Sequence, residues 1–152
     1  MNKSNINTLG DLKKSGYQSK TIQQELAQNL KSSLKSGLTT FKGLIGYEKT
    51  VIPNVERAIL SGHNMNLLGL RGQAKTRLAR QLTGLLDAWI PVVKGSEIND
   101  DPLDPISREA KELISEKRDE TPIDWLHQSE RFYEKLATPD VTVACLLYTS
   151  PS

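Results

Sequence analysis

The sequence predicts an α/β fold with a parallel sheet, incomplete at its C-terminal end and preceded by an N-terminal helix. Three observations predict it. First, Gly69-Leu70-Arg71-Gly72-Gln73-Ala74-Lys75-Thr76 matches the phosphate-loop pattern G-x-x-x-x-G-K-[ST] at Gly69, Lys75 and Thr76, with Ala74 in place of the second glycine. Second, Met65-Asn66-Leu67-Leu68 just before it reads as a short buried strand. Third, Leu78, Leu82, Leu85 and Leu86 just after it recur at helical spacing. Strand, glycine-bearing loop and helix, in that order, are the context this motif requires.

Elementary electrostatics gives each loop residue a task. Successive backbone N–H groups of the loop form a concave anion site. The helix starting near Lys75 adds its positive dipole end. Lys75 is expected on the β- and γ-phosphates, and Thr76 on Mg²⁺ through its hydroxyl. Gly69 and Gly72 allow the tight turn and the close approach of phosphate to backbone. Ala74 is tolerable where φ stays negative and strained where it does not. The competing reading is a glycine-containing turn with a solvated lysine.

The elements follow in order. Residues 1–18 are rich in Asn, Lys, Ser and Gly and are expected to fray. Thr21 and Gln24 have capping-box spacing and open a helix. Ile22, Leu26, Leu30 and Leu34 form its apolar stripe, and Gly37 ends it. Phe41 to Tyr47 is an apolar loop punctuated by Gly43 and Gly46. A helix over 48–62 has Val51, Val55, Ala58 and Ile59 at helical period, with Pro53 in its first turn and Gly62 as its stop. Trp89-Ile90-Pro91-Val92-Val93 reads as the next parallel strand. Asp104 and Pro105 read as N-cap and first residue of a helix to about Glu116. Thr121, Pro122 and Asp124 read as the start of another, running to about Leu136. The acidic loop holding Glu97, Asp100, Asp101 and Asp104 lacks the EF-hand spacing and reads as a solvated loop rather than a metal site. His63 and His127 read as surface or capping residues.

Composition excludes several classes. With 152 residues the chain suits one modest domain. A net charge of +2 implies no polyanion partner, and the local basic cluster Arg71, Lys75, Arg77 and Arg80 fits nucleotide phosphate better than nucleic acid. The single cysteine, Cys145, excludes an internal disulfide. No apolar run approaches membrane-spanning length and no leader pattern opens the chain, so a cytoplasmic protein is expected.

Several segments together resemble the AAA+ ATPases of the magnesium chelatase class: Leu44-Ile45-Gly46-Tyr47, Val51-Ile52-Pro53, Ala58-Ile59-Leu60-Ser61-Gly62-His63 and Leu67 to Arg77. The G-x-x-G-x-A-K-T form of the loop is similar to that of their MoxR-type relatives. Gly95 to Pro102 and Glu134 to Asp140 look like the same group, so the resemblance covers roughly residues 20–144. It implies a P-loop nucleotide-binding fold, ATP and Mg²⁺ as cofactors, and a homo-oligomeric ring with a chelatase or other client subunit. It also implies that Ile45, Gly46 and Tyr47 lie against the adenine. Such motors couple hydrolysis to metal insertion or to partner remodelling.

The chain departs from the family after Thr76. No apolar run ending in Asp-Glu supplies a Walker B strand, and no sensor, arginine finger or helical lid is legible. The expected division is therefore a flexible segment and helix over 1–37, a partial nucleotide-binding domain over 38–144, and an uncharged tail over 145–152 resembling translated adapter sequence and expected to be non-native. The intact protein is expected to hydrolyse ATP and this chain alone to be inactive; the alternatives are a nucleotide-binding module without hydrolysis and a non-enzymatic helical interaction protein.

Overall fold

The computed structural model describes residues 6–69 and 74–134. The tail over 145–152, and the chelatase-like segment beyond Glu134, lie outside them. Among the described residues the order is α1 (Leu9–Lys14), α2 (Ile22–Lys35), α3 (Val51–Leu60), α4 (Lys75–Leu82), β1 (Trp89–Val93), α5 (Arg108–Lys117) and β2 (Ile123–His127).

Local sequence sets most helix ends. The Thr21 hydroxyl accepts from the Gln24 N–H, and the Gln24 side chain accepts from the Thr21 N–H, completing the expected capping box of α2. At the other end Gly37 takes φ 66°. Its N–H donates to the Leu34 carbonyl, and that of Leu38 to Ser33, a Schellman closure that favours glycine at the left-handed position. Gly62 closes α3 in the same way, with bonds from Gly62 to Ile59 and from His63 to Ala58. Pro53 sits in the first turn of α3, where its missing N–H leaves no helical bond unmade.

The expected parallel sheet does not form among the described residues. Among the described residues the sheet has two strands, and they are antiparallel: Trp89 pairs with His127 and Val93 with Ile123. The described residues thus form a small mixed α/β unit of five α-helices and one antiparallel ribbon rather than a parallel-sheet P-loop domain. Two local expectations fall with it. Residues 65–68 make no strand: Leu68 is 86% exposed, and no neighbouring strand accepts a ladder from this segment. The helix expected from Thr121 is instead β2. Its start is fixed from outside, since the Ile123 N–H donates to the Asn7 carbonyl and Thr8 bridges Pro122. Pro122 therefore precedes a strand, a position proline tolerates as well as the first turn of a helix.

Residues 9–14, expected to fray, form α1. Thr8 caps it, and Leu9 and Leu12 are fully buried. They belong to one apolar cluster, with Ile6 and Ile123 and with Tyr17, Ile114 and Trp125 at its margin. A second cluster joins α2, α3 and α4 through Leu30, Phe41, Leu44, Val55, Ile59, Leu78 and Leu85. The stripe of α2 is buried only in its middle: Leu30 is inside, while Ile22 and Leu34 are exposed.

A polar clasp ties α2 to the segments that follow α4 and β2. Glu25, buried on α2, takes both guanidinium nitrogens of Arg131, at 2.6 and 2.7 Å, and also accepts from the Asp87 N–H. Asn29 donates to the Leu85 carbonyl and to Asp87 Oδ1, each at 2.8 Å. A buried carboxylate is tolerable only when paired and hydrogen-bonded, and Glu25 is both.

Candidate functional site

The site is built where α4 meets the loop before α3. Two contacts hold the loop on the helix. The Gln81 side chain donates to the Lys42 carbonyl at 2.7 Å. The Arg77 guanidinium lies over Gly43, where a Cβ would come within 2.5 Å of it. The loop then turns into α3 at Tyr47, whose carbonyl accepts from the Thr50 and Ile52 N–H groups. Leu44 and Leu78 fix the two sides by burial in the helical cluster.

Between these parts lies a cleft of about 240 Å³. Leu44, Tyr47 and Val51 form one wall; Leu67, Leu68, Ala74 and Leu78 form the other, with Asn66 and Lys75 as the polar groups. The cleft is thus apolar with few polar groups, the usual make-up of a small-molecule site. Its apolar walls suit a flat heterocycle. The Asn66 amide offers both a donor and an acceptor to a ring edge.

The two separated segments singled out in the sequence meet here, in part. Tyr47 and Lys75 line the same cleft. Ile45 does not line it and is 88% exposed; Gly46 is also exposed, its N–H turned to the Glu48 carboxylate at 2.8 Å. Lys75 Nζ donates to the Gly69 carbonyl at 2.8 Å, so the lysine ties the two described ends of the loop together. Thr76 is exposed in the first turn of α4. Leu70, Arg71, Gly72 and Gln73 lie outside the described residues. Of the basic cluster, Arg80 is drawn away to Glu134 at 2.9 Å.

Ala74 caps α4 at φ 52°, ψ 15°, with no side-chain cap bond. This is the left-handed conformation in which alanine is strained and the glycine of the general motif is not. Among the described residues no group of three or more His, Cys, Asp or Glu side chains could hold a metal ion.

The acidic loop, expected to be solvated, is partly buried. Asp100 is buried and accepts from the Ile106 N–H at 2.6 Å, the Ser107 N–H at 2.9 Å and the Ser96 hydroxyl at 2.7 Å, and from the Ser107 hydroxyl. Burial alone would push its carboxyl up. The Ser107, Ser96 and Ile106 bonds outweigh burial and bring it down to about 2. The cap of α5 is accordingly Ser107, not Asp104. His127 does act as a cap: its Nδ1 accepts from the Ser129 N–H at 3.3 Å.

Sequence reasoning passed over Glu25, Asn29 and Arg131. A signal was present for two of them, since Glu25 and Asn29 stand four residues apart beside the Leu26–Leu30 stripe, on the face that must pack. No family model matches this chain, nor does any curated protein or solved structure. No helix of the described residues is long and apolar enough to cross a membrane.

Proposed function

We propose that this chain binds ATP with Mg²⁺ in the cleft between Tyr47 and Lys75. One observation carries the reading: the residue expected against the base and the residue expected on the phosphates line one apolar cleft, although they come from separate segments. The base lies between Tyr47 and the Leu67–Leu78 wall, with Asn66 at its edge. The triphosphate runs toward the N-terminus of α4, whose dipole favours anions. Lys75 exchanges its bond to the Gly69 carbonyl for one to phosphate oxygens, and Thr76 holds the ion. Bound magnesium supplies neutralisation of phosphate charge.

The wider role rests on the resemblance. In it the chain is the N-terminal part of a cytoplasmic ATPase like those of the magnesium chelatase and MoxR-type classes. The intact protein would work as a homo-oligomeric ring on a chelatase or other client subunit, coupling hydrolysis to metal insertion or partner remodelling. The geometry supports binding of the nucleotide; turnover belongs to the intact protein.

The test is thermal unfolding with and without Mg-ATP. A ligand at one hundred times its dissociation constant stabilises by about 2.7 kcal/mol. The chain is expected to gain that, and Lys75→Ala to lose most of it at the same ATP concentration. An equal gain in both proteins, or none in either, would overturn the proposal.

A further inference from the structure

The antiparallel register places Trp89 opposite His127 and Pro91 opposite Trp125, so both tryptophans stand on one face of the ribbon in diagonal positions. Such positions are roughly 7–8 Å apart, within reach of aromatic side chains. Trp89 packs edge-on against His127, ring centroids 4.7 Å apart, and the Trp125 indole N–H is held by the Ile6 carbonyl at 3.2 Å. Both tryptophans, with Tyr17, Asp87 and Lys20, line a cleft of about 490 Å³ that shares no residue with the ATP cleft.

We propose that this aromatic cleft is a second binding site, for an organic cation of the alkylammonium class. Tryptophan faces attract such cations, most strongly when a carboxylate stands nearby and water is partly excluded. Asp87 is that carboxylate. The chain's own Lys20 already shows the chemistry: its ammonium lies 3.2 Å from Asp87 Oδ2. Both partners are about one-third exposed, 34% and 32%, and an ion pair of that kind contributes little. A ligand can therefore replace Lys20 at Oδ2 at small cost, while Asn29 keeps Oδ1 in place. Tyr17 stands beside them as a phenol. Burial first, then the Asp101, Asp87 and Glu25 carboxylates, push its phenol up to about 12 against the opposing pull of Arg131. The phenol thus stays neutral, and no negative charge from it competes with Asp87 for the cation.

The sequence contains two tryptophans and both line this cleft, so intrinsic fluorescence reads it directly. The experiment titrates the full chain with tetramethylammonium chloride at constant ionic strength, with tert-butanol as the uncharged control. A saturable change is expected with the cation and none with the alcohol. Lys20→Met, at an exposed side chain, is expected to tighten binding by about threefold, because it removes the internal competitor. Asp87→Asn is expected to weaken it by about fivefold. A non-saturating response, an equal response to tert-butanol, or an unchanged dissociation constant in Lys20→Met would overturn the proposal. Lys75→Ala leaves this titration unchanged, which separates the outcome here from that of the ATP experiment.

Discussion

Ala74 concentrates the tension between sequence and backbone at a single position. Its φ of 52° forces a Cβ into the left-handed region, at the residue that begins α4. The strain of that conformation for an L-residue is on the order of 1 kcal/mol, and glycine avoids it. Ala74→Gly is therefore expected to raise stability by about 1 kcal/mol, seen as a higher urea midpoint at unchanged slope. A lower midpoint would mean that the alanine methyl, which packs at the edge of the helical cluster, matters more than the strain. The residue was legible in advance as a departure from the general motif, but its φ was not, because φ depends on how the loop meets the helix.

Asp100 shows how one side chain organises an element. Its carboxylate gathers the Ile106 and Ser107 N–H groups and two hydroxyls, and so decides that α5 starts after Ser107. The sign of the pH effect follows from its lowered pKa. Its ordinary value is 3.8 and its folded value about 2, so in that window the unfolded chain binds more protons. Its contribution is complete above pH 3.8 and is lost as pH falls through about 2. Asp100→Asn is expected to cost on the order of 2 kcal/mol near neutral pH, and to narrow its deficit against the parent in acid denaturation below pH 4. A constant deficit at all pH values would show that the carboxylate charge is not what matters.

Helix boundaries were readable where the chemistry is local. Thr21 with Gln24, and the glycines 37 and 62, act on neighbours within a few residues. The strand over Trp89–Val93 was readable, though not its antiparallel pairing; its partner was not, because Pro122 and Asp124 suit a helix start as well as a strand. What selects the strand is pairing with Trp89–Val93 and with Asn7, far away in sequence. Likewise 65–68 has the composition of a buried strand without a strand beside it.

At the scale of the whole molecule, the described residues hold two small apolar clusters, and polar groups tie α2 to the segments after α4 and β2. Glu25 and Arg131 form the joint, with Asp87 and Asn29 tying it to the segment that follows α4. A buried pair of this kind contributes little net stability but is costly to break from one side, so it fixes geometry more than it adds energy. Through Asn29 and Leu85 the same joint bears on the far end of the helix whose first turn carries Lys75 and Thr76. The Tyr47–Lys75 cleft is thus positioned by both of its walls and by the base of its helix. None of this was visible in the phosphate-loop motif, which specifies a local shape and leaves the sheet around it undetermined.

Where a nucleotide settles on the chain can be read directly by photolabelling with 8-azido-ATP in the presence of Mg²⁺, followed by peptide mapping. Attachment within 44–51 or 65–78, suppressed by excess ATP, is the expected result. Labelling elsewhere, or labelling that excess ATP leaves unchanged, would mean that the Tyr47–Lys75 cleft is not a nucleotide site.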